Sequence, residues 1–500
     1  MPQHRNVLFI VADQLRADVL DPASRSPLAG AAPAPNLAKL AQRSTLFAHH
    51  FTVTAPCGPA RASLLTGLYA MNHGVIYNGS PLSSRHTNIA LQAARLGYEP
   101  LLFGYTDTAP DPADHAPDDP ALSSAEGILP GFREMVEMRF MEAAQWPAHL
   151  RGLGYDCPAP GPDFYQEVSR PQGGKLGAPA LYTAEHSDTA FLTDETLKSL
   201  SARQGAPWFA HVTYLRPHPP LVAPAPWNRL VDPASLPPPC AEAPDHAFVD
   251  AWFSKPSEHG LFWGYDGNAR ALSTADIALC RATYLAMIAE LDHHIGRLLD
   301  FLDASGQAEN TLVVFTADHG EMLGDNGMWG KLSVFDGAFH VPLIVCDPGN
   351  PQPRRIEAIT ESVDVTPTIL DWLGAAPPTG MDGRSLTQFV SGQAPENWRT
   401  SAFLEIEFGN PSGAPSRFQH AFGNQSGPAA ASATRAAILR ERDWKYVYFA
   451  GGVAPMLFDL AADPHETRNL AADPAHAARL LQMARRMPGR RMENASSPFA

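Results

Sequence analysis

Cys57 stands in the run Thr54-Ala55-Pro56-Cys57-Gly58-Pro59-Ala60-Arg61-Ala62-Ser63-Leu64-Leu65-Thr66-Gly67. Pro59 suits the first turn of a helix that continues through residues 62–65, because a helix leaves its first N–H groups unpaired. Residue 57 then lies at the positive end of that helix, where an anionic ester is drawn. A thiol there can act as a nucleophile; taken alone, a Cys ahead of a helix is equally a small buried hydrophobe. Far off in sequence, Asp13-Gln14 and Asp318-His319 supply oxygen donors and one imidazole. Hard carboxylates with a single nitrogen suit one divalent ion such as Mn²⁺, Ca²⁺ or Mg²⁺ better than a thiophilic metal. A lone strand-terminal Asp is as often a helix cap or a turn former, so the argument rests on the set.

These residues need a frame that brings them together. Residues 7–12 form an unbroken apolar run ending in Asp13, and residues 312–315 form another that leads to Asp318. Both read as strands buried on two faces, as in a parallel sheet. Residues 208–214 and 341–346 are further strands, and helices are predicted over 36–42, 89–96, 188–202 and 365–373. The longest helix is predicted over 274–303, with Ser273 and Asp276 at capping-box spacing. Along it Leu285, Ile288, Leu291, Ile295, Leu298 and Leu302 mark one apolar face. Strands alternating with helices predict an α/β fold with a central, mixed but largely parallel sheet flanked by helices. Ligands in such folds gather at the carboxyl ends of strands, where Asp13 and Asp318 would meet. After residue 376 the pattern turns to shorter strands at 402–406, 436–440 and 445–449 and a helix near 475–486. This predicts a catalytic domain over 1–376 and a smaller C-terminal α+β domain over 377–500.

Composition narrows the classes. The 500 residues carry 37 Lys and Arg against 52 Asp and Glu, a net charge of −15, which argues against a general nucleic-acid or anionic-membrane surface. No apolar run reaches spanning length, and an apolar strand begins almost at once without a leader, so cytoplasmic residence is expected. Five scattered cysteines fit a reducing compartment without a disulfide framework. The 48 prolines cluster at 26–35, 109–120, 157–180 and 216–239, predicted as long surface loops and lids around the site.

The Cys-x-Pro-x-Arg run with Leu65-Thr66-Gly67, together with Asp318-His319-Gly320-Glu321, resembles the type I sulfatases of the alkaline phosphatase superfamily. Many sulfatases have two consecutive Asp residues after the first strand, whereas this chain has Asp13-Gln14. That pair, with Asn78, Gly104-Tyr105, Arg216-Pro217-His218-Pro219-Pro220 and Gly330-Lys331, is similar to the formylglycine-dependent phosphonate monoester hydrolases. Leu457-Phe458-Asp459-Leu460 and the run 463–470 resemble their C-terminal domain, so the likeness covers nearly the whole chain. The resemblance implies an alkaline-phosphatase-like sandwich and a formylglycine made from Cys57 by a maturation enzyme. The aldehyde hydrates to a geminal diol, in which one hydroxyl attacks and the other helps expel the product. It further implies Asp13, Gln14, residue 57, Asp318 and His319 as metal ligands. Arg61 would steady the diol; Asn78, Tyr105, His218 and Lys331 would surround the substrate anion, with His218 and Lys331 at the leaving oxygen. A homo-oligomer is also implied, although the tail after Arg486 is short for a C-terminal extension that would build one.

Two departures stand out. Asp107 occupies a place where that family has Thr, and a carboxylate near an anion site repels substrate unless it is protonated, paired or turned away. His340 stands where relatives have Arg, and a structural role is expected for it. The function implied is hydrolysis of small monoanionic esters, namely phosphonate monoesters, phosphodiesters and sulfate monoesters. The alternative is a dedicated aryl or alkyl sulfatase. A two-metal phosphatase or mutase would need more His and Asp ligands, and a binding protein without activity would not need Cys57, Arg61 and Lys331 together.

Overall fold

The computed structural model describes residues 5–141, 143–159, 164–203, 205–256, 260–409 and 434–494. Eight strands make the central sheet: β1 (Asn6–Ala12), β2 (Thr45–Phe51), β3 (Pro100–Gly104), β4 (Arg133–Glu137), β5 (Phe209–Tyr214), β6 (Thr311–Ala317), β7 (Leu343–Cys346) and β8 (Arg354–Glu361), in the order β4-β3-β5-β1-β6-β7-β2-β8. The pairings from β4 to β6 are parallel; β7 runs antiparallel to both neighbours, and β2 pairs β8 in parallel. The sheet is therefore mixed and largely parallel, as the sequence predicts.

Alternation along β1 explains how both faces are filled. Leu8, Ile10 and Ala12 pack with Leu285, Ile288, Leu291 and Ile295 of the helix Thr274–Ala304. Val7, Phe9 and Val11 pack on the other side with Leu64, Leu65, Ile89 and Ile369, which come from three shorter helices. The long helix starts at Ser273, whose Oγ accepts from Asp276 N at 3.1 Å while the Asp276 carboxylate takes the Ser273 N–H at 3.3 Å. This reciprocal cap fits the predicted spacing.

Sequence and structure part at several places. Pro342 has no N–H to give a ladder, so β7 begins at Leu343 rather than at residue 341. Strands β2, β3, β4 and β8 carry charged, His or Pro residues that broke the apolar pattern. The stretch from Leu215 to Ala223 is mostly buried, not an outer loop: Arg216, Leu221, Val222 and Ala223 lie in the interior. Proline cluster 157–180 includes residues 160–163, which fall outside the described residues. No helix among the described residues is long and apolar enough to cross a membrane.

A second, antiparallel sheet orders β12 (Met456–Asp459), β11 (Trp444–Phe449), β10 (Arg435–Glu441) and β9 (Ser401–Glu407). One face meets the larger body through Phe51, Phe248, Trp252, Phe335 and Phe339, and the other is covered by Met483 and Met487 of the terminal helix Ala477–Asn494. The junction also holds buried charge. Lys445 Nζ lies 2.9 Å from Asp336 Oδ1 and 2.6 Å from Glu466 Oε1, and Arg440 Nε reaches Asp336 Oδ2 at 2.8 Å. Burial works against the Asp336 charge, but Arg440 and Lys445 hold its carboxyl well below the usual range. Burial pushes Glu466 up to about 7 despite Lys445. Lys445→Met takes from buried Glu466 its Lys445 ion pair and leaves Asp336 to Arg440. It should lower stability by about 3–5 kcal/mol, seen as a lower urea midpoint at unchanged m-value. An unmoved midpoint would mean that the acids do not depend on Lys445.

Candidate active site

Strands β1 and β6 are adjacent and in register, with Ala12 opposite Ala317, so the next residues along bring Asp13 and Asp318 side by side. Both carboxylates are buried. The helix α1 (Pro35–Ala41) is tied to the long helix, Asn36 N donating to Asp292 Oδ2 at 3.0 Å, while α2 (Cys57–Thr66) starts at the site itself with Cys57 as its first residue and Pro56 as N-cap. Arg61 sits one turn along, on the same side as Cys57. Its guanidinium donates to Asp318 Oδ2 at 2.9 Å, Asp13 Oδ2 at 3.3 Å, the Tyr105 hydroxyl at 2.8 Å, the Tyr105 carbonyl at 3.3 Å and Thr213 Oγ1 at 2.6 Å. Arg61 thus clamps the two acids and makes no hydrogen bond to Cys57. The Tyr105 hydroxyl donates to Asp13 Oδ2, and the Arg61 guanidinium lies 4.0 Å from its ring centroid. Tyr105 therefore belongs to the clamp, with its hydroxyl already engaged on both sides. Gly104, at φ 113°, permits this: a Cβ there would fall 2.2 Å from Thr213 O.

The charges follow from this packing. Burial raises the Asp13 carboxyl, but the positive charge around it, Lys331 and Arg61 included, holds it well below its ordinary value. Asp318 is pushed up to about 6, by burial and then by the Asp13 charge, against the pull of Arg61. Two acids this close resist carrying both charges at once, and a further cation between them would favour both.

One ligand atom from each of Asp13, Cys57, Asp318 and His319 lies within 4.8 Å of the others. The His319 ring is turned for coordination. Nδ1 faces the Gly320 carbonyl at 3.1 Å and so must carry the hydrogen, which leaves the Nε2 lone pair facing Cys57 Sγ at 3.2 Å and Asp13 Oδ1 at 3.5 Å. Burial and Lys331 push His319 down to about 3, so the ring is neutral. Gln14, at φ 65°, gives its backbone N–H to Asp318 Oδ1 at 3.1 Å, and its Oε1 accepts from Lys331 Nζ at 3.1 Å. Two carboxylate oxygens and one imidazole nitrogen fit a hard divalent ion.

Lys331 is buried, and its Nζ lies 2.9 Å from Cys57 Sγ. Burial opposes its charge, but Cys57 and Asp13 raise it to about 12. The Cys57 thiol is driven well above its usual value, by burial first and then by Asp13, even with Lys331 beside it. As a thiol, residue 57 stays protonated and is a poor nucleophile. Asn78 is exposed at the helix start, where its Oδ1 accepts from Gly58 N at 2.9 Å. Asp107, at φ 52°, is buried, and its carboxylate has no hydrogen-bond or ion-pair partner among the described residues. Burial pushes it up to about 7, with Arg61 pulling down and Asp13 pushing up.

His218 is half-buried and packs against Phe140, with ring centroids 5.2 Å apart. Its Nδ1 faces the Pro219 carbonyl at 2.6 Å, so Nε2 carries the lone pair. Burial and Lys331 push the ring down to about 3, against the pull of Asp13. Arg216 anchors this turn, with Nη1 on the carbonyls of His218 and Pro220 at 3.3 and 3.0 Å and Nε on Asp188 Oδ2 at 3.1 Å. His340 lies away from these residues, its Nε2 on the Ala48 carbonyl at 2.9 Å. Sequence reasoning gave no role to Thr213, Tyr284 or Glu321. Tyr284 of the long helix donates to the Gln14 carbonyl at 2.7 Å, a backbone contact that leaves no pattern in the sequence. Glu321 was visible in the run after Asp318, but its partners were not.

A mixed α/β sheet with acids from adjacent strand ends facing a Cys at a helix N-terminus fits the sulfatase class of the alkaline phosphatase superfamily. Residues 5–375 match the sulfatase family, and residues 324–493 match the C-terminal region of N-sulphoglucosamine sulphohydrolase. The chain belongs to the sulfatase family. It is similar to the multifunctional alkaline phosphatase superfamily protein PehA of Trinickia caryophylli, at 37% identity over 98% of this chain and 96% of that one. Among solved structures it resembles the phosphonate monoester hydrolase SpPMH of Silicibacter pomeroyi, at 45% identity and a TM-score of 0.90 over 98% of this chain and 96% of that chain. The phosphonate monoester hydrolase of Agrobacterium radiobacter follows at 40% identity and a TM-score of 0.88, with the same coverage. A choline-sulfatase of Rhizobium meliloti is 29% identical over 94% of this chain and 83% of that one.

Arg61→Met tests the clamp. Without the guanidinium the paired acids lose their counter-charge, and metal-free stability should fall by about 3–5 kcal/mol. Added Mn²⁺ should restore more stability to this variant than it gives the parent, read from denaturant midpoints with and without the ion. Equal gains in both proteins would show that Arg61 does not share its task with a cation.

Proposed function

We propose that this sulfatase-family ester hydrolase acts on small monoanionic esters (phosphonate monoesters, phosphodiesters and sulfate monoesters), with a formylglycine made from Cys57 and one divalent ion, Mn²⁺ or Ca²⁺ with Mg²⁺ as a further choice. The observation that carries this reading is the setting of residue 57. It opens a helix, touches Lys331 and His319, and lies among the acids, yet its thiol is held protonated. A position so well placed for attack and so poorly served by a thiol fits conversion to the aldehyde hydrate, whose paired hydroxyls supply a nucleophile and a means of release. Asp13, Gln14, Asp318 and His319 would hold the ion, which supplies Lewis acidity and lowers the pKa of a coordinated hydroxyl.

The remaining groups bind and orient. Lys331 brings a fixed ammonium to the equatorial oxygens and the departing oxygen. The exposed Asn78 holds Gly58 N–H with its amide oxygen, and its N–H₂ would turn to the ester. Tyr105 and Arg61 keep Asp13 in place. His218 is neutral in the free protein, so in this reading its Nε2 gains a proton only once a bound anion offsets Lys331. The net reaction adds water across the S–O or P–O bond and releases the alcohol.

Several coarser parts belong to the same reading: a division at 376/377, a homo-oligomer, a maturation enzyme acting on Cys57, and cytoplasmic residence, for which five free cysteines speak. The names of the two phosphonate monoester hydrolases favour phosphonate esters; the name of the choline-sulfatase relative favours the second reading, a dedicated sulfatase. Choline is cationic, and the unpartnered Asp107 offers a carboxylate to such a group.

The decisive experiment compares an aryl sulfate with an aryl methylphosphonate of the same phenol, on protein shown by mass to carry the aldehyde at residue 57. The phosphonate should have the larger kcat/KM, and Cys57→Ala should abolish turnover of both. A sulfate preference of orders of magnitude would replace the first reading by the second; turnover that survives Cys57→Ala would remove both. For Asp107 the expectation is selective: Asp107→Thr lowers kcat/KM for leaving groups bearing a cation more than for neutral ones. An equal change on both would rule out a cation-binding role.

A further inference from the structure

Glu321 is a buried acid beside the site that has no part in the chemistry above. One carboxylate oxygen, Oε2, accepts from Gln14 Nε2; the other, Oε1, accepts from Leu323 N at 3.0 Å and from Gly330 N. Gly330 precedes Lys331, whose Nζ donates back to Gln14 Oε1 at 3.1 Å. Met322 N also bonds Gly330 O at 2.9 Å, tying the two segments together. The contacts close a circuit that runs from Glu321 to Gln14, on to Lys331, and back through Gly330.

The circuit settles an ambiguity that every amide side chain carries. The two ends of a Gln amide have nearly the same shape, and only their partners decide which points where. At Gln14 the N–H₂ meets a carboxylate and the carbonyl oxygen meets an ammonium. A reversed amide would set oxygen against carboxylate and N–H₂ against ammonium, trading two charge-assisted hydrogen bonds for two repulsions. Lys331 alone could be met by other oxygens of the site. Glu321 is the partner that takes the N–H₂ end and cannot take the other.

We propose that Glu321 is a positioning residue: it turns the Gln14 amide so that Oε1 faces the divalent-ion site, and it seats the Lys331 backbone so that Nζ reaches residue 57. The inference rests on the reading of Asp13, Gln14, Asp318 and His319 as a metal site. It adds that the neutral ligand there works as an oxygen donor only because an acid behind it holds its other end.

The test is a double-mutant cycle on Mn²⁺ affinity, measured by calorimetry on the full chain stripped of metal, with parent, Gln14→Ala, Glu321→Gln and the double variant. Glu321→Gln should weaken Mn²⁺ binding by about tenfold in the parent, the scale of a lost outer partner of a metal ligand, and by less than about twofold once Gln14 is Ala. Equal weakening in both backgrounds would make Glu321 a general structural residue and overturn the proposal. If Glu321→Gln does not fold, the exchanged pair Gln14→Glu with Glu321→Gln decides the matter. It keeps an amide and a carboxylate across the same contact, with an oxygen still facing the site, and should bind Mn²⁺ at least as tightly as the parent. Tenfold weaker binding by the exchanged pair would sink the idea. A parent protein that binds neither Mn²⁺ nor Ca²⁺ would bring down the metal reading itself, and this inference with it; a parent that binds, with an additive cycle, brings down the inference alone.

Discussion

Two carboxylates buried at the ends of neighbouring strands repel each other, and the fold makes this meeting unavoidable once Ala12 pairs with Ala317. The compensation comes from Arg61. A guanidinium offers its donors in a planar fork, and here the fork spans both acids while its other edge reaches Thr213 on β5. Because Arg61 lies one helical turn after Cys57, satisfying the acids also fixes the start of α2 against the strand ends. The distance between residue 57 and the metal-type ligands is thus set by an electrostatic need, and the Cys-to-Arg spacing in the sequence is the trace of it. A Lys could match the charge but could not bridge both acids, Tyr105 and Thr213 at once.

From that clamp the organisation spreads outward by shared partners. Tyr105 hands its hydroxyl to Asp13, and Gly104 lets its strand approach Thr213 closely enough for both to meet Arg61. On the far side, Lys331 joins Gln14 and Cys57, and the chain that follows it runs to Asp336, which is held by Arg440 and Lys445 of the second sheet. The C-terminal domain therefore has a physical line to the site through buried charge. Phe335 and Phe339 supply the apolar part of the same junction.

Much of this was legible in the sequence, for reasons that can be named. Strands β1 and β6 are central and covered on both faces, so their residues are apolar throughout and the Asp that ends each one stands out. The long helix shows its apolar stripe and its cap. Strands β4 and β8 were hidden because they are the edges of the sheet, where Arg133, Glu134, Arg354, Arg355 and Glu357 meet solvent on part of their length. At the site, Cys57, Arg61, Asp318 and His319 sit in short runs that resemblance can match. The tasks of Arg61 and Tyr105 were not legible, because each depends on partners from several distant elements. The resemblance assigns them to the diol and the substrate; the contacts to the acids are what the structure adds. The proline-rich stretch after β5 misled for a similar reason: its backbone carbonyls are satisfied by buried Arg216, which lets a loop lie inside.

The charge of the cradle bears on which esters it can hold. Asp13 and Asp318 are balanced by Arg61 and Lys331, and His218 and His319 are neutral. A divalent ion in the reading proposed above would thus leave the cradle positive, and Gln14, being uncharged, would not reduce that surplus. A second acid in its place would. Asp107 is a further acid near residue 57, and burial pushes its carboxyl up to about 7. When charged it cancels part of the surplus, which disfavours dianions more than monoanions; when neutral it can donate to an ester oxygen instead. In that reading the same residue would favour singly charged esters and leave room for a cationic leaving group. Those two effects draw on one protonation state, the ionised one, so they should rise and fall together.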